Sequence, residues 1–267
     1  MKKWPIAIQV YSVEKEAEAD FVGTMKALKA MGYDGVELCD TYGLSPQELT
    51  GILQEIGLEL VGAHVAIDSL EKDEVLAYWA ATGTKQVVIP HLRRPKTPEA
   101  LEEVIARITK VGENCQKHGL QLLYHNHDFE FNKIDGKYVL EHYYDRIPAR
   151  LLQTELDVCW VNVGGEDPVP YLKKYTGRAP VVHLKDFTGV KTDNMYNLIG
   201  QEAVRDESAA EFDFRPVGYG KQDMPAIVAA AEEAGCSWLI VEQDRGSMGR
   251  TPLECAQMSI NYLRSFL

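Results

Sequence analysis

The chain has 267 residues, 45% of them hydrophobic and 25% charged, with a formal net charge of −12. That composition is ample for a continuous core in one large domain or two small ones. The charge excludes nucleic acid and anionic membrane as default partners, because binding to phosphate rests on lysine and arginine.

The only local basic patch is Arg93-Arg94 with Lys96, which is small. Five cysteines, odd in number and without a Cys-x-x-Cys, read as reduced thiols and predict a cytoplasmic protein. Met1 to Pro5 is followed by about six apolar-leaning residues, too short for a signal-peptide core or a membrane span.

From the N-terminus, strand and helix signals alternate. A strand over Ile6 to Tyr11 is followed by an amphipathic stretch, Ala19 to Met31, that stops at Gly32. Gly35 to Cys39 and Ser45 to Ile56 form the next pair, with Ser45-Pro46 a capped helix start and Gly57 its stop. Glu59 to His64 precedes Glu71 to Ala81, and Gln86 to Pro90 precedes Pro98 to His118, which Thr97-Pro98 opens and Gly119 ends. Then come Gln121 to His125 with Val139 to Arg146, Leu151 to Asp157 with Pro168 to Tyr175, Pro180 to Leu184 with Asp223 to Ala234, and Trp238 to Glu242 with Pro252 to Phe266.

Eight such alternations with short connections predict a single-domain (β/α)8 TIM barrel; an open doubly wound sheet is the alternative, weakened by the lack of Gly-x-Gly-x-x-Gly after the first strand. Two connections depart from the repeat. Phe129 to Val139 reads as a hairpin turning at Asp135-Gly136, and Asp186 to Gly220 is long, polar and weakly periodic.

Four strand ends carry the chemistry. Leu122-Leu123-Tyr124-His125, the run ending Leu156-Asp157, Val181-Val182-His183 and Leu239-Ile240-Val241-Glu242 each finish on a metal-capable side chain. Parallel strands deliver their C-terminal ends to one barrel mouth, so two imidazoles and two carboxylates would converge there and hold one divalent cation. The competing reading is that each residue merely caps its own strand. Gln9, Glu37 and His64 end the first three strands, and their polar groups suit sugar hydroxyls. Trp160 suits stacking on a sugar face. His91 with Arg93 suits an anionic group, although no glycine-rich anion loop supports phosphate.

Tyr124-His125-Asn126-His127-Asp128-Phe129-Glu130-Phe131, Leu156-Asp157, Gly164 to Pro168, Val182-His183-Leu184-Lys185-Asp186, Val217-Gly218-Tyr219-Gly220 and Val241-Glu242-Gln243-Asp244 together resemble the xylose isomerase-like barrel family. Its members include hydroxypyruvate isomerase, inosose dehydratase and endonuclease IV. The resemblance extends to Ile8-Gln9-Val10-Tyr11-Ser12 and Gly32 to Glu37, nearly the whole chain.

It implies one divalent ion, manganese first and zinc or cobalt next, held by a Glu, an Asp, a His and a second Glu. Asp157, His183 and Glu242 match the last three; the first falls on His125, with His127 the neighbouring candidate. The family's epimerases use both glutamates as acid and base. With only Glu242 kept, the resemblance implies that His127 and Lys185 supply part of that work, Lys185 through a pKa depressed beside a cation. A simpler role for Lys185 is an ion pair with Asp186 or Glu242. Trp160 stands where many members carry histidine, and Tyr219 where many carry glutamate.

The expected activity is a metal-dependent isomerase or epimerase, or a related lyase or dehydratase, acting through an enediolate on a keto sugar, 3-keto-glycoside or polyol. A non-catalytic sugar-binding barrel is one alternative. An endonuclease IV-like nuclease is another, disfavoured by seven histidines and the acidic charge. The expected partner is a small-molecule sugar. Barrels of this kind often pair, so a homo-oligomer is compatible, though nothing in the sequence specifies an interface.

Overall fold

Short apolar runs between glycine stops become eight parallel strands, described by a computed structural model for residues 4–192, 195 and 212–267. They are Ile6–Gln9 (β1), Gly35–Leu38 (β2), Glu59–Ala63 (β3), Gln86–Ile89 (β4), Gln121–His125 (β5), Gln153–Asp157 (β6), Val181–Leu184 (β7) and Trp238–Val241 (β8). Neighbours pair in the order β3-β2-β1-β8-β7-β6-β5-β4. The remaining seam, β3 to β4, closes through a single parallel bridge, His64 to Val88, and the Val65 N–H to the Val88 carbonyl at 2.8 Å. Closure makes the architecture a TIM barrel and not an open sheet.

The eight following helices match the amphipathic stretches to within two residues, from Phe21–Met31 to Pro252–Phe266. Ser45 and Glu48 form a capping box, as do Thr251 and Glu254. Several short helices carry no sequence signal long enough to read, among them Val158–Val163, whose N-cap is Asp157. No helix among the described residues is long and apolar enough to cross a membrane. All five cysteines are free thiols.

Side chains alternate across a strand with a period of two, and this sets the layers inside the barrel. Ala7, Leu123, Val181 and Ile240 pack together with Val61 and Val88 as an apolar plug. Two residues further along their strands stand Gln9, His125, His183 and Glu242, on the same inward face and one layer nearer the mouth. A bulge between Val36 and Glu37 shifts the β2–β3 register so that Glu37 pairs with Gly62. A Cβ at Gly62 would lie 3.1 Å from the Glu37 carboxylate, so the glycine makes room for it.

Phe129 to Val139 contains the expected hairpin, Lys133–Ile134 against Lys137–Tyr138, with Asp135 and Gly136 both at positive φ. The long connection after β7 begins and ends as an antiparallel ribbon, Asp186–Gly189 against Phe212–Arg215. Residues 193–194 and 196–211 of that connection lie outside the described residues. The ribbon's Phe187, Phe212 and Phe214 cover Trp160 and Cys159 from above.

The helix Pro98–Lys117 tests the packing. Gly112→Ala should gain helix propensity of about 1 kcal/mol, yet the new Cβ would lie 2.5 Å from the Leu151 carbonyl oxygen. Overpacking of that kind costs about 1–3 kcal/mol. The expected net result is a lowered melting temperature in thermal unfolding; an unchanged or raised value would show that the helix can shift away.

Candidate metal centre at the barrel mouth

Four strand ends meet where the sequence places them. The ligand-capable atoms of His125, Asp157, His183 and Glu242 all lie within 4.8 Å of one another, and all four residues are buried. His125 Nε2 is 3.8 Å from both Asp157 Oδ2 and Glu242 Oε2, and His183 Nδ1 is 3.0 Å from Glu242 Oε2. Asp157 divides its labour: Oδ1 accepts the Trp160 N–H at 3.0 Å, capping the helix that follows, while Oδ2 has no hydrogen-bond partner and is left for the cluster. Asn126 ties the two strand ends together, accepting the Asp157 N–H at 3.0 Å. His127 belongs to neither cluster of metal-capable groups found among the described residues. Its ring lies between Phe129, at 5.0 Å, and Trp160, at 5.2 Å.

Beneath the tetrad is a floor the sequence did not reveal. Glu155, two residues before Asp157 and so on the same strand face, places Oε1 2.6 Å from His64 Nε2, 2.9 Å from His183 Nε2 and 3.2 Å from His125 Nδ1. Glu37 Oε2 is 2.8 Å from His183 Nε2 and 3.2 Å from His64 Nε2, and it accepts the Gln9 amide at 2.9 Å. Carboxylates behind metal-binding imidazoles set their tautomer and orientation.

Gln9, Glu37 and His64 were expected to meet sugar hydroxyls. The structure buries them at 0%, 0% and 3% exposure; Gln9 donates to Glu37, Glu37 meets His183 and His64, and His64 meets Glu155. Trp160, expected to stack on a sugar, is also fully buried, with Lys185 Nζ 5.1 Å from its ring centroid. The ribbon above it is what removes its face from solvent.

The charges decide protonation. Asp157, Glu242 and Asp244, all buried, face one ammonium, Lys185, while the buried Glu37 and Glu155 face the imidazoles of His64 and His183. Burial pushes the His125 imidazole well below its ordinary value, leaving it neutral with a lone pair to donate. His127 is pushed down likewise, by burial and by Lys185. Burial works against charge on His183, but Glu155 and Glu37 outweigh it and hold its pKa well above 6.5. Burial lifts Asp157 to about 7. It also pushes Glu242 up, but Lys185 and His183 prevail and hold that carboxylate well below the usual range.

Of the roles read for Lys185 in the sequence, the ion pair with Glu242 is present. Burial pulls the lysine down, but Asp244 at 2.5 Å, Glu242 at 3.2 Å and Asp157 at 3.8 Å keep the ammonium charged, with its pKa well above the usual lysine value. Its partners are therefore Glu242 and Asp244; Asp186 instead accepts the backbone N–H groups of Phe187, Gly218, Gly220 and Gln222. Two imidazole nitrogens and two carboxylate oxygens, among them the unpartnered Asp157 Oδ2, fit a divalent cation, which would take the place of the His183 proton.

Glu130 holds the loop after β5, accepting the Tyr124 hydroxyl at 2.5 Å and the His127 N–H at 2.8 Å. Burial raises its pKa from 4.5 to about 8. Between those values the folded chain keeps a proton that the unfolded chain has released, so stability from this group is complete below pH 4.5 and lost as pH rises to 8. Glu130→Gln should therefore gain on the wild type between pH 5 and pH 8.5 by about 3–5 kcal/mol in urea unfolding. Parallel pH profiles for the two proteins would refute the assignment.

Residues 25–266 fit the model of the xylose isomerase-like TIM barrel family. The chain belongs to that family. It is 24% identical over 278 residues to an inosose dehydratase of Mesomycoplasma hyopneumoniae (strain 7448), covering 95% of this chain and 91% of the relative. Its fold matches a sugar phosphate isomerase/epimerase from Parabacteroides distasonis ATCC 8503 with a TM-score of 0.78 at 22% identity, over 99% of this chain and 95% of the other. A probable 3-DHS dehydratase, AsbF, from Bacillus anthracis matches with a TM-score of 0.73 at 15% identity, over 97% and 98% of the two chains.

Proposed function

We propose that this barrel is a divalent-metal-dependent enzyme acting on a keto sugar or keto polyol, and that it removes water from it. The observation that carries the reading is the tetrad His125, Asp157, His183 and Glu242 with Lys185 Nζ 3.2 Å from Glu242 Oε2. The dehydratase names of several relatives support it. A bound divalent ion would polarise the substrate carbonyl as a Lewis acid and so acidify the adjacent C–H.

The chain's own groups complete the chemistry. Glu242, kept deprotonated, takes the proton from the carbon next to the carbonyl. Lys185, kept charged, delivers a proton to the departing hydroxyl, which leaves as water. Base and acid stand side by side, so proton and hydroxyl leave from the same face, and proton transfer from Glu242 to Lys185 resets both groups. The buried rings of His127, Trp160, Phe212 and Phe214 exclude bulk water beside the ammonium.

A second reading, isomerisation or epimerisation, is favoured by His127, a neutral imidazole 5.3 Å from His125 that could return a proton to a different carbon or face.

The deciding experiment incubates purified, manganese-loaded protein with inososes and ketohexoses in D2O. Elimination produces an ultraviolet-absorbing unsaturated or 1,2-dicarbonyl product. Isomerisation produces deuterated ketose without that band. Bound metal with neither change would leave a sugar-binding barrel, and absence of metal after reconstitution would end the metalloenzyme reading.

A further inference from the structure

At the same end of the barrel, a cavity of about 620 Å3 opens between the segments that follow β3, β4 and β5. Ile67, Leu92 and Phe129 form its apolar wall, and Arg93, Arg94 and Arg107 its cationic side. Arg107 is neutralised by Asp68 and Glu71. Arg93 and Arg94 are exposed and have no carboxylate partner among the described residues. In a chain of net charge −12, two adjacent unneutralised guanidiniums in a concavity reverse the local sign.

The cavity is joined to the centre by a column of rings. The Arg94 guanidinium lies 5.9 Å from the Phe129 ring centroid, Phe129 stacks on His127 at 5.0 Å with the planes 7° apart, and His127 is 5.3 Å from His125. The half-buried His91 lines the cavity 6.3 Å from the His127 ring.

We propose that this cavity binds an oxyanion, a phosphate monoester or a carboxylate, carried by the far end of the substrate. The proposal rests on the tetrad being the reacting centre. No glycine-rich loop is needed, because a guanidinium fork matches either oxyanion with paired N–H donors. The substrate class narrows accordingly, from neutral keto sugars to sugar phosphates or sugar acids.

Calorimetric titration with inorganic phosphate and with D-gluconate tests this on the metal-loaded protein. An Arg93→Ala/Arg94→Ala double variant, Arg94→Lys and Asp157→Asn are titrated beside the wild type, and metal content is measured in each sample. The double variant should bind the recognised anion about 10- to 100-fold more weakly with metal unchanged. Arg94→Lys should lose less, and Asp157→Asn should bind as the wild type does. Binding of phosphate alone supports a phosphate ester, and of gluconate alone a sugar acid.

No millimolar binding of either anion by the wild type overturns the proposal. So does binding that survives the double variant, including binding lost only in Asp157→Asn, which would seat the anion at the tetrad. Arginine-dependent binding in a protein that takes up no metal would support the anion site while ending the reading of the tetrad, so the two can fail separately.

Discussion

Asp157→Asn is expected to purify folded, without its divalent ion, and at least about 1,000-fold less active. The fold survives because asparagine caps a helix about as well as aspartate, so the helix Val158–Val163 keeps its start. What disappears is the charge on Oδ2, a buried carboxylate oxygen of the tetrad with no hydrogen-bond partner. Lewis-acid stabilisation supplies several kcal/mol of the barrier reduction, which is three or more decades of rate. Elemental mass spectrometry beside circular dichroism checks both halves. One equivalent of metal retained in a folded Asp157→Asn would remove Asp157 from the ligand set. Asp157→Ala should lose the cap as well, costing about a further 1 kcal/mol of stability.

Glu155→Gln is expected to behave differently: metal affinity falls about 10- to 100-fold, the usual cost of removing a group that orients metal-binding imidazoles, and activity returns when metal is supplied in excess. The carboxylate contacts three histidines through one oxygen, two of them members of the tetrad. An amide oxygen can still accept one imidazole N–H, but it lacks the charge that makes the imidazoles of His125 and His183 better donors on their other nitrogen. Activity against manganese concentration separates the outcomes. A right-shifted curve with the wild-type plateau marks a positioning residue. A curve that never recovers would make Glu155 a participant in the chemistry, and an unshifted one would make the floor dispensable.

The barrel was legible because each of its strands is a short apolar run with a turn on either side, and most of the long helices have a side-chain cap or a glycine stop. The tetrad was legible for a related reason: a side chain at the C-terminal end of a parallel strand has only one place to go. Depth was not legible. Period two tells which face Gln9, Glu37 and Glu155 occupy, but not whether that face lies at the mouth or one layer down; the stagger of a closed barrel and the bulge at Glu37 decide it. Glu155 carried a usable signal, its two-residue spacing from Asp157, and so did Glu37, which pairs in register with Gln9. The burial of Trp160 was not legible because its cover comes from the Asp186–Gly189 and Phe212–Arg215 ribbon, whose strands are too far apart in sequence for local pattern to pair them. The Lys185 charge state likewise depends on Asp244 and Asp157, neighbours only in three dimensions.

The barrel closes between β3 and β4 through one bridge, and the residue in that bridge is His64. Its imidazole is bonded from inside by Glu155 on the far strand β6, so the polar floor acts as an internal clasp across the thinnest part of the wall. Local opening concentrates where backbone pairing is sparse. The Val65 amide should therefore exchange its hydrogen faster than those of β5 to β7, and faster still once Glu155 is replaced. Breathing of the wall and retention of the ion would then be one motion, with the ion's escape route running through the seam as well as the mouth.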